Sequence, residues 1–250
     1  MAKTRPPFLT RLTYTRPAEG EAYPWIIPVF SRDFEWRFTK SVTIIVGENG
    51  AGKSSLLEAI ALNCGFGACG GGRNQQHLGQ SDVAPVAKAM RFAWLPRISR
   101  GFFFRAESFF NFASYIDDLG PQALGPYGGV SLHAKSHGEA FLALFQNRFG
   151  PRSIYIFDEP EAALSPTRQL AFLDIVHRLS SEQDCQIVMA THSPILMSYD
   201  RAELMFLEGD GTLAEKSFRA TPHWQLYARF MADPARFQPD GERPESGDGA

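Results

Sequence analysis

Apolar and polar positions fall in blocks along the chain, and the period of each block assigns it to strand or helix. Before residue 40, three short stretches read as β pieces: Phe8–Thr15, Trp25–Phe30 and Phe34–Phe38. Turn material such as Pro17-Ala18-Glu19-Gly20 divides them. A β-branched run from Ser41 to Val46 leads into a glycine-rich turn, then a stretch that places Leu56, Leu57, Ile60 and Ala61 on one helical face. Gly65 to Gly72 is glycine-dense and reads as a flexible loop. Gly101–Phe104 predicts a strand, and Phe109, Phe112, Ala113 and Ile116 after it recur at helical spacing. That phenylalanine stripe reads as core rather than as a platform for stacked bases.

The second half alternates more cleanly. The pattern predicts a helix over Gly138–Arg148, a buried strand over Ser153–Phe157, a helix over Pro166–Leu179 and a strand over Gln186–Ala190. A hairpin follows, Glu203–Glu208 and Thr212–Phe218 joined by Gly209-Asp210-Gly211. Thr221-Pro222 then opens a last helix carrying Trp224, Tyr227 and Met231. Strands alternating with helices predict an α/β fold, its mostly parallel central sheet covered by helices, with an antiparallel β portion near the N-terminus. Residues 1–237 read as one domain, with a β-rich part up to about 40 and a helical part over about 70–150. Residues 238–250 are rich in Pro, Gly and acids and are expected to be disordered.

Composition changes this picture little. Of 250 residues 44% are hydrophobic and 21% charged, ordinary for a globular protein. A net charge of −2 argues against a broad basic surface for nucleic acid. It leaves room for a local patch, and Arg91, Arg97, Arg100 and Arg105 form the densest basic stretch. No apolar run approaches the ~18–20 residues needed to span a bilayer. Lys3, Arg5 and Arg11 are followed by no apolar core, which argues against a secretory leader. Cys64, Cys69 and Cys185 give no even disulfide framework. A cytoplasmic protein is expected.

The chemistry lies in two segments. Gly47-Glu48-Asn49-Gly50-Ala51-Gly52-Lys53-Ser54 is a full G-x-x-x-x-G-K-S phosphate loop between an expected strand and an expected helix. Its glycines let backbone N–H groups converge on a phosphate, and the new helix points its positive end there. Lys53 is expected to reach the β- and γ-phosphates of ATP, and the Ser54 hydroxyl to ligate Mg²⁺; Ser55 follows as a further nucleotide contact. Ser153-Ile154-Tyr155-Ile156-Phe157-Asp158-Glu159-Pro160 supplies the second segment. Its carboxylates emerge at the C-terminal end of a strand, where α/β sheets place their ligands. Asp158 is expected to hold Mg²⁺ and Glu159 to take a proton from the attacking water.

Asp158-Glu159-Pro160-Glu161-Ala162-Ala163-Leu164-Ser165 resembles the Walker B and D-loop segment of ABC-type ATPases. His192 in Ala190-Thr191-His192-Ser193-Pro194, 34 residues after Asp158, resembles their switch histidine. Lys135-Ser136-His137-Gly138-Glu139 stands where that family keeps its signature, 22 residues from Ser136 to Asp158. More narrowly, the chain is similar to small soluble ATPases kin to the SMC/RecF and OLD-type groups, through phrases such as Gly101-Phe102-Phe103-Phe104-Arg105-Ala106-Glu107-Ser108. The resemblance implies an ABC ATPase head that hydrolyses ATP as a head-to-tail homodimer, Ser136 and Gly138 completing the partner copy's site. It implies that Glu159 and His192 place the water, and that the cycle acts on a partner protein or a nucleic acid. The alternative is the nucleotide-binding subunit of a membrane transporter.

The pattern also departs from the family. His137 replaces a signature glycine, and Ser165 replaces the D-loop aspartate. Ser136 with Glu139 is also a capping box, and Ser165-Pro166 an N-cap followed by proline. No glutamine follows Phe104; Glu107, or the backbone near Ala106, stands in its place. Glu107 is either a metal ligand or a first-turn acid of its helix. No aromatic before Gly47 identifies itself as the base-stacking residue.

Overall fold

The computed structural model describes residues 5–18, 21–75, 80–127, 129–134 and 149–238. Along the chain come β1 (Leu9–Tyr14), β2 (Phe34–Arg37), β3 (Val42–Gly47), α1 (Lys53–Cys64), α2 (Ala84–Ala89), β4 (Met90–Trp94), β5 (Gly101–Arg105) and α3 (Phe109–Asp118). Then follow β6 (Ile154–Asp158), α4 (Pro166–Ser181), β7 (Gln186–Ala190), α5 (Pro194–Met197), β8 (Glu203–Leu207), β9 (Leu213–Glu215) and α6 (Pro222–Ala232). The expected helix over Gly138–Arg148 and the tail from 239 lie outside the described residues.

The β-branched run forms the inner strand β3, buried at all six positions. It belongs to a six-stranded sheet of order β5-β6-β7-β3-β8-β9. The first five strands run parallel, and β9 turns back antiparallel on β8 through the expected hairpin. In that hairpin the Asp210 carboxylate accepts from Thr212 N at 2.8 Å, the local bond that lets aspartate hold a tight turn. A separate antiparallel sheet, β2-β1-β4, holds the expected N-terminal β portion as β1 and β2 and adds β4 from outside it.

Because side chains alternate across a strand, the parallel sheet feeds two cores. Val42, Ile44, Phe102, Phe104, Tyr155, Phe157, Ile187 and Met189 pack with α3 and α4 on one face. On the other, Ile45, Phe103, Ile154, Ile156 and Val188 pack with α1 and with Leu12, Tyr14 and Trp36 of the small sheet. The phenylalanine stripe of α3 is core, as its spacing predicts. α1 shares its core with both sheets and with α2, and none of its residues is exposed. Its apolar stripe therefore has no solvated opposite face.

One buried side chain joins the two sheets. Gln186 opens β7, and its Oε1 accepts from Phe8 N and Leu9 N, each at 2.8 Å, while its Nε2 donates to Leu9 O at 2.9 Å. Three main-chain groups at the start of β1 are thus satisfied where water cannot reach them.

Two expectations need correction. Trp25–Phe30 is no strand: it is a run of turns closing in a short 3-10 helix, Pro28–Phe30. Pro24 and Pro28 carry no N–H for a ladder, which explains the difference. The glycine loop before Gly72 is not free: Gly71 exchanges two backbone hydrogen bonds with Phe103, 2.8 and 3.0 Å, and covers the edge of β5.

Candidate nucleotide site

β3 ends at Gly47, and the chain bends through Gly50 and Gly52 into α1. Gly52 has φ 103°, which an L side chain rarely adopts, and a Cβ there would stand 2.6 Å from Ile27 and 2.7 Å from Val29. Glycine is required at this position twice over. No side chain caps the first turn of α1, so its amides are left for a ligand, the arrangement that makes a helix N-terminus an anion site. The Lys53 ammonium folds back over the loop and donates to Gly47 O at 2.7 Å and Glu48 O at 2.9 Å. Burial pulls its pKa down from the ordinary lysine value, against the upward pull of Glu159, Asp158, Glu48 and Glu161.

β6 delivers the carboxylates. Asp158 is buried, and its Oδ1 accepts from the Ser54 hydroxyl at 2.9 Å. Burial pushes the Asp158 carboxyl up to about 6, although Arg105 and the Ser54 hydroxyl both pull it down. Glu159 follows in the left-handed region, φ 49° and ψ 53°, with its N–H continuing the sheet to Ala190 O at 3.0 Å. The turn of chain there leaves its carboxylate half-exposed, 3.8 Å from His192 Nε2. His192 comes from the loop after β7, where its N–H donates to Glu161 Oε1 at 2.6 Å. The phosphate loop, Asp158, Glu159 and His192 therefore converge at the C-terminal edge of the parallel sheet. A cavity of about 290 Å³ opens there, lined in part by Asn49, Lys53, Ser54, Ser55 and Glu159.

Three further residues reach this site without having announced themselves in the sequence. Tyr23 lines the same cavity from the turn before the 3-10 helix, an aromatic ring beside the phosphate loop. Arg105, at the end of β5 and in register with Asp158, places Nε 3.4 Å from Asp158 Oδ2 and Nη1 2.8 Å from Glu58 Oε2. Burial alone would lower its pKa, but Asp158, Glu58 and Glu107 together hold it above the ordinary value. It is thus an internal counter-ion, which withdraws it from the basic surface stretch; Arg91, Arg97 and Arg100 remain exposed. His223, on the first turn of α6, has Nε2 3.3 Å from His192 Nδ1. Burial and the neighbouring Lys53 charge lower the pKa of His192, and burial lowers that of His223.

Glu107 has an exposed carboxylate 3.5 Å from Arg105 Nη2. Ser165 is the N-cap of α4, accepting from Arg168 N at 3.4 Å. Ser136 and Gly138 lie outside the described residues. Among the described residues no cluster of three or more His, Cys, Asp or Glu could hold a metal. Ser54 and Asp158 nonetheless fit Mg²⁺: an aligned hydroxyl and carboxylate are hard oxygen donors, and this ion is held by few protein ligands, with phosphate and water supplying the rest.

Comparison with known proteins gives matches in sequence and in fold. An AAA-domain family model matches residues 27–88, and a second, described as "AAA domain, putative AbiEii toxin, Type IV TA system", matches residues 140–198. The hemin import ATP-binding protein HmuV of Burkholderia thailandensis is 28% identical over 227 residues, spanning 75% of this chain and 82% of the relative. HmuV of Shewanella denitrificans is 29% identical over 171 residues, 60% of this chain and 66% of the relative. The thiamine import ATP-binding protein ThiQ of a Chelativorans species is 32% identical over 89 residues, covering 34% and 36%. Among solved structures, one titled "An inward-facing conformation of a putative metal-chelate type ABC transporter" shares the fold, with TM-score 0.50 at 15% identity over 89% of each chain. In sequence and fold the chain is thus similar to AAA domains and to the ATP-binding proteins of ABC systems. No helix among the described residues is long and apolar enough to cross a membrane.

Proposed function

We propose that the chain binds ATP with Mg²⁺ at Gly47–Ser55 and hydrolyses it, two copies closing head to tail around two nucleotides. The observation that carries this reading is the Ser54–Asp158 hydrogen bond at 2.9 Å, struck at the uncapped start of α1 with Glu159 and His192 beside it. Lys53 exchanges its two loop carbonyls for phosphate oxygens, and the first-turn amides of α1 take the negative charge. Ser54 and Asp158 would hold Mg²⁺, which supplies charge neutralisation of the phosphates when bound. Glu159 orients the attacking water and accepts its proton, and His192 presents a ring N–H toward the γ-phosphate end. Tyr23 packs against the base. Glu107 stays a metal candidate only if its exposed carboxylate leaves Arg105.

These residues make one side of a site. The resemblance assigns the other side to Ser136 and Gly138 of a second copy, and their helix N-terminus would meet the γ-phosphate. Glu159→Gln keeps the side-chain size and removes the base, so with Mg²⁺ and ATP it is expected to run as a dimer by light scattering, and as a smaller species without nucleotide. Adding Ser136→Arg is expected to prevent closure while single-chain ATP binding survives. A Glu159→Gln protein that binds ATP and stays monomeric at high concentration removes the sandwich.

The AbiEii-type match favours a free-standing ATPase kin to the SMC/RecF and OLD-type groups, acting on a partner protein or nucleic acid. The relatives named for hemin and thiamine import favour a second reading, the nucleotide-binding subunit of an importer. Fractionation of the native cells separates the two, since an importer subunit co-purifies with membranes.

A further inference from the structure

We propose that His223 is a positioning residue for His192: its Nε2–H donates to His192 Nδ1 and so fixes His192 in the tautomer that carries its proton on Nε2. The proposal rests on the ATPase reading above for its kinetic consequences, though not for the tautomer itself.

The geometry is specific. His223 is the second residue of α6, held there by Pro222 and by the N-cap Thr221, which is fully buried and accepts from Trp224 N at 3.2 Å. Its ring packs on Phe206 of β8, centroids 6.2 Å apart, and presents Nε2 to His192 Nδ1 at 3.3 Å with the two rings tilted by 47°. The remaining nitrogens, His192 Nε2 and His223 Nδ1, are buried and have no hydrogen-bond partner. Beyond His192 Nε2 lies the Glu159 carboxylate, at 3.8 Å. The three groups form a file: His223, His192, Glu159.

One proton must sit in the bond between the rings, and its owner decides what His192 can do. If Nδ1 of His192 carried it, Nε2 would be bare and would face a carboxylate, and later a phosphate, with lone pair against negative charge. If His223 Nε2 carries it, His192 Nδ1 accepts and Nε2–H becomes a donor aimed into the site. The second arrangement places donor against acceptor at both ends of the imidazole. Glu161 takes the backbone N–H of His192 and leaves the ring to His223. Burial lowers the pKa of both rings, which accords with a bond between two neutral imidazoles. The role is that of the outer partner which fixes the orientation and tautomer of a working histidine; at metal-ligating histidines the loss of such a partner costs about 10–100-fold, which sets the scale here.

The test compares His223→Phe with His223→Gln in the full chain. Phenylalanine keeps a ring against Phe206 and removes the donor; glutamine returns an amide N–H close to the position of Nε2. His223→Phe is expected to lower kcat about 10-fold while ATP affinity stays within about 2-fold, and His223→Gln to recover most of kcat. In a His192→Ala background, His223→Phe is expected to cost nothing further. Nitrogen-15 NMR of the imidazoles reads the tautomer directly: Nε2–H for His192 in the wild type, a mixture or Nδ1–H in His223→Phe. The proposal is overturned by wild-type kcat in His223→Phe, by glutamine failing as badly as phenylalanine in a folded protein, by a further loss in the His192→Ala background, or by Nδ1–H in wild-type His192. Should the wild-type chain neither bind nor turn over ATP, the ATPase reading fails on its own, and the NMR result alone still decides the tautomer.

Discussion

Arg105→Gln removes a positive charge that lies between two sequestered carboxylates, Glu58 and Asp158. The Arg105 side chain is 23% exposed, Glu58 11% and Asp158 4%, so water offers these acids little compensation. Breaking a buried ion pair from one side typically costs about 3–5 kcal/mol. Two features pull the figure here to the low end. Glu58 keeps the Ser81 hydroxyl at 2.6 Å, and Asp158 keeps Ser54 at 2.9 Å. Asp158 can also escape its penalty by taking a proton. With its pKa already near 6, protonation around pH 7.5 costs roughly 2 kcal/mol, which caps its share of the loss. Glu58 adds about 1 kcal/mol for an ion pair exchanged for a neutral hydrogen bond. A total near 3 kcal/mol corresponds to a fall in Tm of about 6–12 °C for a chain of this size. Thermal unfolding without nucleotide or metal measures it. The same reasoning makes the deficit shrink as pH falls toward 6, where protonating Asp158 costs almost nothing. Adding Mg²⁺ is expected to raise the variant's Tm more than the wild type's, since the cation's competitor is gone. A Tm within about 2 °C of wild type around pH 7.5, or a deficit that grows on acidification, refutes the view of Arg105 as an internal counter-ion.

Lys53→Ala is expected to abolish nucleotide binding with little change in Tm, read by titration with a fluorescent ATP analogue, because its partners are loop carbonyls that water can take over; normal turnover in the variant would sink the phosphate-loop assignment. The lowered pKa values of His192 and His223 predict acid sensitivity. In the unfolded chain each binds a proton near pH 6.5, while the folded site holds them neutral, so stability is present above that value and falls as pH drops below it. Melting curves across pH 5–8 check this, and a double variant, His192→Phe with His223→Phe, should flatten that part of the profile. Exposed Arg91, Arg97 and Arg100 set the scale for nucleic-acid binding: three phosphate contacts give a slope near −2.7 in log affinity against log salt for a duplex. No binding at low salt, with and without ATP, retires that partner.

The elements that carry the candidate nucleotide site were the most legible in the sequence. β3, β6 and β7 are continuous apolar runs, and each ends in residues whose types belong to phosphate or metal chemistry, so period and chemistry agreed. What lay hidden depends on contacts between distant segments. Arg105 reads as one more surface arginine until Glu58, 47 residues away on α1, is seen to receive it. His223 lies 31 residues beyond His192 on a helix with no buried residue, and nothing local marks it as a neighbour of the site. α2 and β4 escaped because Ala84–Trp94 is too short and too mixed for either period to declare itself. Pro24 and Pro28 did offer a signal against a strand at Trp25–Phe30, and the apolar content of that stretch outweighed it.

The backbone of Glu159 has a consequence for the cost of keeping a glutamate at this position. A glutamate at φ 49° carries a steric cost of order 1–2 kcal/mol that glycine, and in part asparagine, would not bear. Glutamine inherits that cost along with the shape, so on the proposed reading it silences the base without relaxing the chain. Glycine at 159 would silence it and relax it together. On the proposed reading, backbone strain and turnover therefore pull this position in opposite directions.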